Sequence, residues 1–363
     1  MQVAQSMSVW SMPVPHERWL GWDLGGAHLK AVQLDARGRV EAVLLIPCPL
    51  WQGLDRLEAG IDRVLECLAI RARRHAITMT GELADLFDGR TEGVAALIAC
   101  MQGRLAGETI KVYAGTDGLL DPEDALRAAS RVASANWLAS ASMVAARRPA
   151  GLLVDIGSTT TDLIPIKEGR VVARGYSDSE RLAHGELIYS GVARTPLMAL
   201  ARRAPFGGQW IPLMAEHFAT TADVYRLTGD LPEHADLLPS ADGREKSRKA
   251  SAARLARMLG LDAAQADPAT WRGLAAHFGE RQLRILADTC ECLLSRGDLA
   301  EDDPIVGCGV GRFLVRKLAK RLNRPYVDFR GLLETTTESA SPDVADCAPA
   351  AAVAFLAAEM DAR

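Results

Sequence analysis

Two stretches of the chain carry the same polarity pattern: an apolar run that ends in an acid, a short turn of Gly and small polar residues, and a second apolar run. The first covers 19–34 and the second 152–166. The first continues into a strand over 40–46, and helical spacing of Leu54, Leu57, Ile61, Val64, Leu65 and Leu68 predicts a helix over 54–73. Further along, the pattern predicts strands over 76–79, 109–114 and 325–329, and helices over 91–104, 122–144, 244–258 and 271–295. The stretch 304–320 reads as strand, Gly-rich turn and helix, and 349–360 as an Ala-rich closing helix. Strands that alternate with helices place the chain in the α/β class.

The two turns match residue by residue. Asp23-Leu24-Gly25-Gly26 aligns with Asp155-Ile156-Gly157-Ser158, Lys30 falls opposite Asp162, and each copy runs on into Gly-Arg-Val, at Gly38 and at Gly169. A duplication at this distance predicts two related lobes, because solenoid repeats are far shorter. Gly25, Gly26 and Gly157 let backbone amides approach an oxyanion, and Ser158, Thr159 and Thr160 add donors. Acids beside an oxyanion repel it unless a cation intervenes, so the pattern points to a phosphate held with a divalent metal, Mg2+, near Asp23 and Asp155. Lys30 reads as a point charge for that phosphate, or as an exposed strand lysine. Two such turns facing each other imply a cleft between the lobes. His28, inside the first turn, reads as a hydrogen-bonding or packing residue.

At 363 residues the chain has room for two cores, and 48% hydrophobic with 24% charged residues is an ordinary soluble composition. A net charge of -4 argues against nucleic acid as partner, and the absence of a bilayer-length apolar run argues against a membrane-spanning protein. Seven scattered cysteines fit reduced thiols in a cytoplasmic chain, and Cys290 and Cys292, two apart on a helix, do not share a face for a metal. The expected domains are a leader over 1–18 without signal-peptide character, a first lobe over 19–149, and a second lobe over 150–363 with a helical insertion at about 196–295 and a C-terminal helix over 349–360 near the lobe interface.

Other residues carry two readings each. Thr80 and Glu82, at a strand end, reach a cleft ligand or cap a helix. The stretch 184–196, with Glu186 and Tyr189 among glycines, lines a substrate pocket or starts a Gly-bounded helix. Asp223 lines a polar pocket or serves as a first-turn acid, and the basic 244–258 helix is a solvated face. Asn136 and Trp137 read as interdomain packing. Gly307, Gly309 and Gly311 form a strand-to-helix junction bare enough to lie against a flat or phosphorylated ligand.

The order of these motifs resembles the actin, sugar-kinase and Hsp70 superfamily, and within it the hydantoinase/oxoprolinase branch. Three local motifs, Thr80-Gly81-Glu82-Leu83-Ala84-Asp85, Gly185-Glu186-Leu187-Ile188-Tyr189-Ser190-Gly191-Val192 and Thr220-Thr221-Ala222-Asp223-Val224-Tyr225, narrow the likeness to the subgroup tied to tetrahydromethanopterin-linked one-carbon transfer. The resemblance implies two ribonuclease-H-like, actin-like lobes around a central cleft. It also implies an enzyme of methanofuran or methylofuran biosynthesis, a transferase that joins an aminomethyl-furanmethyl diphosphate to the phenol of a glutamyl-tyramine or tyrosine-type acceptor. Under that reading the catalytic residues are Asp23, Lys30, Asp155 and Asp162, Asp162 or Glu82 is the base for the phenol, and Asp223 or Glu186 pairs with the substrate ammonium. The alternative is an ATP-dependent kinase or an ATP-coupled cyclic-amide hydrolase, with ATP as cofactor and adenosine on the Gly307–Gly311 turn. A third reading is an actin-like filament protein. The expected partners are small-molecule substrates, and the chain is compatible with a homodimer.

Overall fold

The computed structural model describes residues 17–336 and 342–362, so the expected leader falls outside the described residues apart from its last two. The first sheet is built on β1 (Trp19–Leu24), whose six residues are all buried. The chain turns back into antiparallel β2 (His28–Leu34) and then β3 (Val40–Pro47). After α1 (Leu54–Cys67) it returns on the far side of β1 as parallel β4 (Arg74–Met79). Helix α2 (Arg90–Arg104) leads to parallel β5 (Thr109–Tyr113) and the short edge strand β6 (Leu119–Leu120), giving the order β3-β2-β1-β4-β5-β6. Helix α1 stops six residues before its predicted end because Gln33 captures the connector. Its side chain donates to the Ile70 carbonyl at 2.7 Å and accepts from the Ala72 amide at 3.0 Å.

The single helix expected over 122–144 is three pieces, α3 (Pro122–Arg127), α4 (Ala129–Val132) and α5 (Asn136–Arg147). Ser134, with φ at 52°, separates α4 from α5, since a left-handed residue ends a helical run.

The second sheet repeats the first. Strand β7 (Gly151–Ile156) turns into antiparallel β8 (Thr161–Lys167), which pairs with β9 (Arg170–Val171) and with β10 (Leu187–Ile188), the latter following α6 (Asp178–Ala183). An insertion follows: a hairpin of β11 (Arg203–Phe206) and β12 (Gln209–Pro212), then α7 (Thr221–Thr228), α8 (Arg248–Arg257) and the 27-residue α9 (Pro268–Leu294). The hairpin was not expected from the pattern, although Gly207 and Gly208, at φ 57° and 77°, form the tight turn it needs. The sheet resumes with β13 (Ile305–Cys308) parallel to β7, then α10 (Arg312–Arg321) and β14 (Tyr326–Asp328) parallel to β13. Its order, β10-β8-β7-β13-β14, matches the first sheet's third, second, first, fourth and fifth strands.

The closing helix α11 (Ala348–Asp361) lies between the two sheets. It packs on β1, β2 and β4 and on α5, so the last segment of the chain covers the first sheet. Small side chains on every face let it sit between layers, and Gly21 of β1 makes room, since a Cβ there would overlap the Ala350 carbonyl. The result is five layers. One core lies under α1 and α2 on the outer face of the first sheet, a second holds α5 and α11 between the sheets, and a third joins the outer face of the second sheet to the insertion. Because the sheets face each other across two helices, the ends of β1 and β7 open into one shared hollow.

Candidate functional site

Both hairpin turns close in the same way. Gly25 donates to the His28 carbonyl at 3.0 Å, and Gly157 to the Thr160 carbonyl at 2.9 Å. The strand registers then place Asp23 opposite Lys30 and Asp155 opposite Asp162. All four side chains, with the two turns, line a cavity of about 580 Å3 between the lobes. Within it the Lys30 ammonium donates to Asp23 Oδ2 at 3.1 Å, while Asp23 Oδ1 is buried without a partner. Burial disfavours the charged form of Lys30, but Asp23 and Asp155 outweigh it and raise its pKa. Asp155 is pushed up to about 7, chiefly by burial and by the like charge of Asp162, with Lys30 and the Cys308 thiol pulling the other way. Asp162 accepts from Arg181 Nη2 at 2.7 Å, and Arg181 lies over the Trp137 ring at 4.1 Å.

The second turn is held from behind. The amides of Val192, Ala193 and Arg194 donate to the carbonyls of Gly157 and Ser158, and a Cβ on Gly191 would overlap the Ser158–Thr159 peptide. With its carbonyls so engaged, the turn keeps the amides of Ser158, Thr159 and Thr160 without an acceptor among the described residues. Gly157 itself has no left-handed φ, and a Cβ there would meet Thr160 O only at 3.6 Å. Its expected conformational role is therefore corrected: the fold does not need a glycine at that position. Gly309 does meet a conformational demand, with φ at 80° and a position where a Cβ would overlap Asp155 Oδ1 and the Ile156 carbonyl.

Thr80 and Tyr189 line the cavity as expected, and Tyr189 is largely exposed at its rim. Glu82 is buried behind the wall, accepts from Ser134 Oγ at 2.8 Å, and has its pKa raised by burial. Glu186 and Asp223 do not line the cavity. Glu186 accepts from the amides of Arg174 and Gly175 and from Arg296 at 2.6 Å. Asp223 caps α7 through the Thr220 amide and accepts from Ser251 and from Arg254, itself fully buried. The basic face read as solvated therefore contributes a buried ion pair. Gly307 and Gly311 leave room for the Tyr326 ring and for Ile156, so of the three junction glycines Gly309 alone is on the cavity wall.

Local pattern pointed neither to Arg181 nor to the pair His234 and Asp346, which meet at 2.9 Å across 112 residues. Trp51 and Arg194 also line the cavity from opposite lobes, the guanidinium 5.7 Å from the ring centroid. Asn136, read as packing, is on the wall as well. Among the described residues no group of three or more His, Cys, Asp or Glu is placed to hold a metal by itself.

The hydantoinase/oxoprolinase family model matches residues 73–355. The chain belongs to that family. Along nearly its whole length, 93% of this chain and 96% of the other, this hydantoinase/oxoprolinase member is 29% identical to a (4-{4-[2-(gamma-L-glutamylamino)ethyl]phenoxymethyl}furan-2-yl)methanamine synthase of Methanocaldococcus jannaschii. A protein of the same description from Methanococcus vannielii is 36% identical over 111 residues, 31% of this chain and 50% of its own. A nucleotide-free structure of acetone carboxylase superposes with a TM-score of 0.54 at 12% identity, over 85% of this chain and 68% of that one. This last likeness bears on the fold alone, and it agrees with the actin-like two-lobed reading. No helix among the described residues is long and apolar enough to cross a membrane.

Proposed function

We propose that this protein is a transferase of furan-cofactor biosynthesis that forms an aryl ether from a furanmethyl diphosphate and the phenol of a glutamyl-tyramine or tyrosine-type acceptor. The observation that carries the reading is the pair of matching turns on one cavity, with unpartnered amides beside Asp23, Lys30 and Asp155. The full-length likeness to a synthase whose described product is a phenoxymethyl-furan methanamine supports it.

The residues suit an ionising substitution. An electron-rich furan stabilises positive charge on the methylene carbon, so the enzyme's main task is to receive the departing diphosphate. Lys30 stays charged, and the amides of Ser158, Thr159 and Thr160 offer donors without reorganisation at the moment of reaction. A divalent cation also fits. Asp23 has a buried oxygen without a partner, and Asp155 is held near 7 beside the like charge of Asp162, a crowding that a cation relieves. Asp23 and Asp155 would hold Mg2+, which when bound neutralises charge on the leaving group. The phenol C–O bond forms at the methylene as the bond to diphosphate breaks, its electron pair leaving with the phosphate oxygen. At the rim, Trp51, Tyr189 and Leu83 supply exposed apolar area for aromatic substrate rings.

The test is direct. Incubation of the protein with Mg2+, an aminomethyl-furanmethyl diphosphate and gamma-glutamyl-tyramine yields, by mass spectrometry, the ether and one diphosphate per turnover. Calorimetry on Mg-ATP and on Mg-diphosphate forms the second arm. Tight ATP binding with ATP hydrolysis and no ether would replace this reading with the ATP-dependent one.

A further inference from the structure

We propose that Arg194 sets acceptor specificity by binding the free carboxylate of the phenolic substrate at the mouth of the cavity. The proposal deepens the ether-synthase reading and rests on it.

Arg194 is exposed on the cavity wall. Its amide donates to the Ser158 carbonyl at 2.9 Å, which anchors its backbone on the carbonyl side of the second turn. The side chain then leaves that turn and crosses to the first lobe, where its guanidinium lies over the ring of Trp51, itself 41% exposed. A guanidinium on an aromatic face is held in place while the N–H groups in its plane stay free for an acceptor atom. The segment carrying Trp51 is fixed in its turn by the first hairpin, since the amides of Cys48 and Leu50 donate to the carbonyls of Ala27 and Gly26. Both halves of the contact are therefore tied to the two turns.

The charges of the wall decide what Arg194 is free to hold. Lys30 donates to Asp23, Arg181 to Asp162, and His234 meets Asp346. Arg194 lines the same wall without a carboxylate partner among the described residues. Around it the wall is acidic, with Asp23, Asp85, Asp155, Asp162, Asp178 and Asp346. A substrate carboxylate entering such a cavity is repelled unless a cation answers it, and Arg194 is the cation not already committed to an acid of the protein. The glutamyl arm of the proposed acceptor carries one free carboxylate, remote from the phenol. With the reacting methylene at the deep end beside Lys30 and the acceptor ring along Trp51, that arm emerges where Arg194 lies. The guanidinium fork matches a carboxylate with two parallel N–H donors. A contact so far from the bond being made is equally strong before and during reaction, so it acts on KM and leaves kcat alone.

The experiment measures steady-state rates of wild type, Arg194→Gln and Arg194→Lys on two acceptors, gamma-glutamyl-tyramine and its α-carboxamide, which keeps the shape and loses the charge. Calorimetry of each protein on Mg-diphosphate accompanies it. Arg194→Gln is expected to raise KM for the carboxylate acceptor by roughly 10- to 100-fold with kcat little changed, and to handle the carboxamide as wild type does. Arg194→Lys, which keeps the charge without the fork, is expected to fall between them. Affinity for Mg-diphosphate is expected to stay the same in all three. An equal loss on both acceptors, or a loss of Mg-diphosphate binding, would make Arg194 a diphosphate ligand or a folding residue and overturn the proposal. A wild type that forms the ether but treats the two acceptors alike also overturns it, and leaves the ether-synthase reading standing. A wild type that forms no ether with either acceptor sinks that reading, and this proposal with it.

Discussion

Asp155 shows how one carboxyl links stability to chemistry. In the metal-free protein its folded pKa, near 7, lies above the ordinary value of 3.8, so between those limits the folded state holds a proton that the unfolded state has lost. The sign is destabilising: folding free energy is lost as pH rises from about 4 to about 7, by an amount on the order of 4 kcal/mol. Asp155→Asn removes that dependence. Denaturant titrations at pH 5 and pH 8 are expected to show a drop for wild type and little change for the variant. Added Mg2+ is expected to restore wild type at pH 8 and to leave the variant where it was. The same variant is expected to lose turnover at least 100-fold while keeping its circular dichroism. A variant with full turnover would remove Asp155 from the mechanism. Asp223 makes the opposite case, because it is buried against Ser251 and the buried Arg254, with Arg226 farther off at 3.4 Å. Arg254→Met leaves that carboxylate buried and underpaired. It should cost about 3–5 kcal/mol in urea unfolding with kcat unchanged after correction for folded protein.

Among the elements, two glycines of the second lobe answer to different demands. In the turn, Gly157→Ala meets only ordinary contact, whereas on the β13 side Gly309→Ala faces a positive φ and overlap with Asp155 and Ile156. Thermal melts should therefore show Gly157→Ala within about 1 kcal/mol of wild type and Gly309→Ala lower by roughly 2–4 kcal/mol. If Gly157→Ala nonetheless loses affinity for Mg-diphosphate by calorimetry, the missing side chain is there for the ligand. Elements built on local periodicity were legible from the chain: β1, β2, β7, β8 and α2 fall where the pattern put them. The break at Ser134 and the early end of α1 were not, because a left-handed serine and a buried Gln33 act through partners that periodicity does not register.

For the whole molecule, the crossing of α11 onto the first sheet makes the two lobes interdependent. A chain ending at Asp343 keeps every strand of both sheets yet uncovers the inner face of β1, β2 and β4. It is expected to lose cooperative unfolding and to bind a hydrophobic dye; a sharp calorimetric transition would contradict the layered account. The sequence by itself determined the duplication, the acid-to-turn register and the family likeness, because these rest on residue type and spacing along a single strand pair. Which polar side chains reach the hollow was decided only by the tertiary structure. Glu186 and Asp223 turn into the protein to pair with Arg296 and Arg254, while Trp51, Arg181, Arg194 and the His234–Asp346 pair arrive at the cleft from segments far apart. A side chain's direction depends on the layers packed around its element, and those layers come from parts of the chain that no local pattern connects.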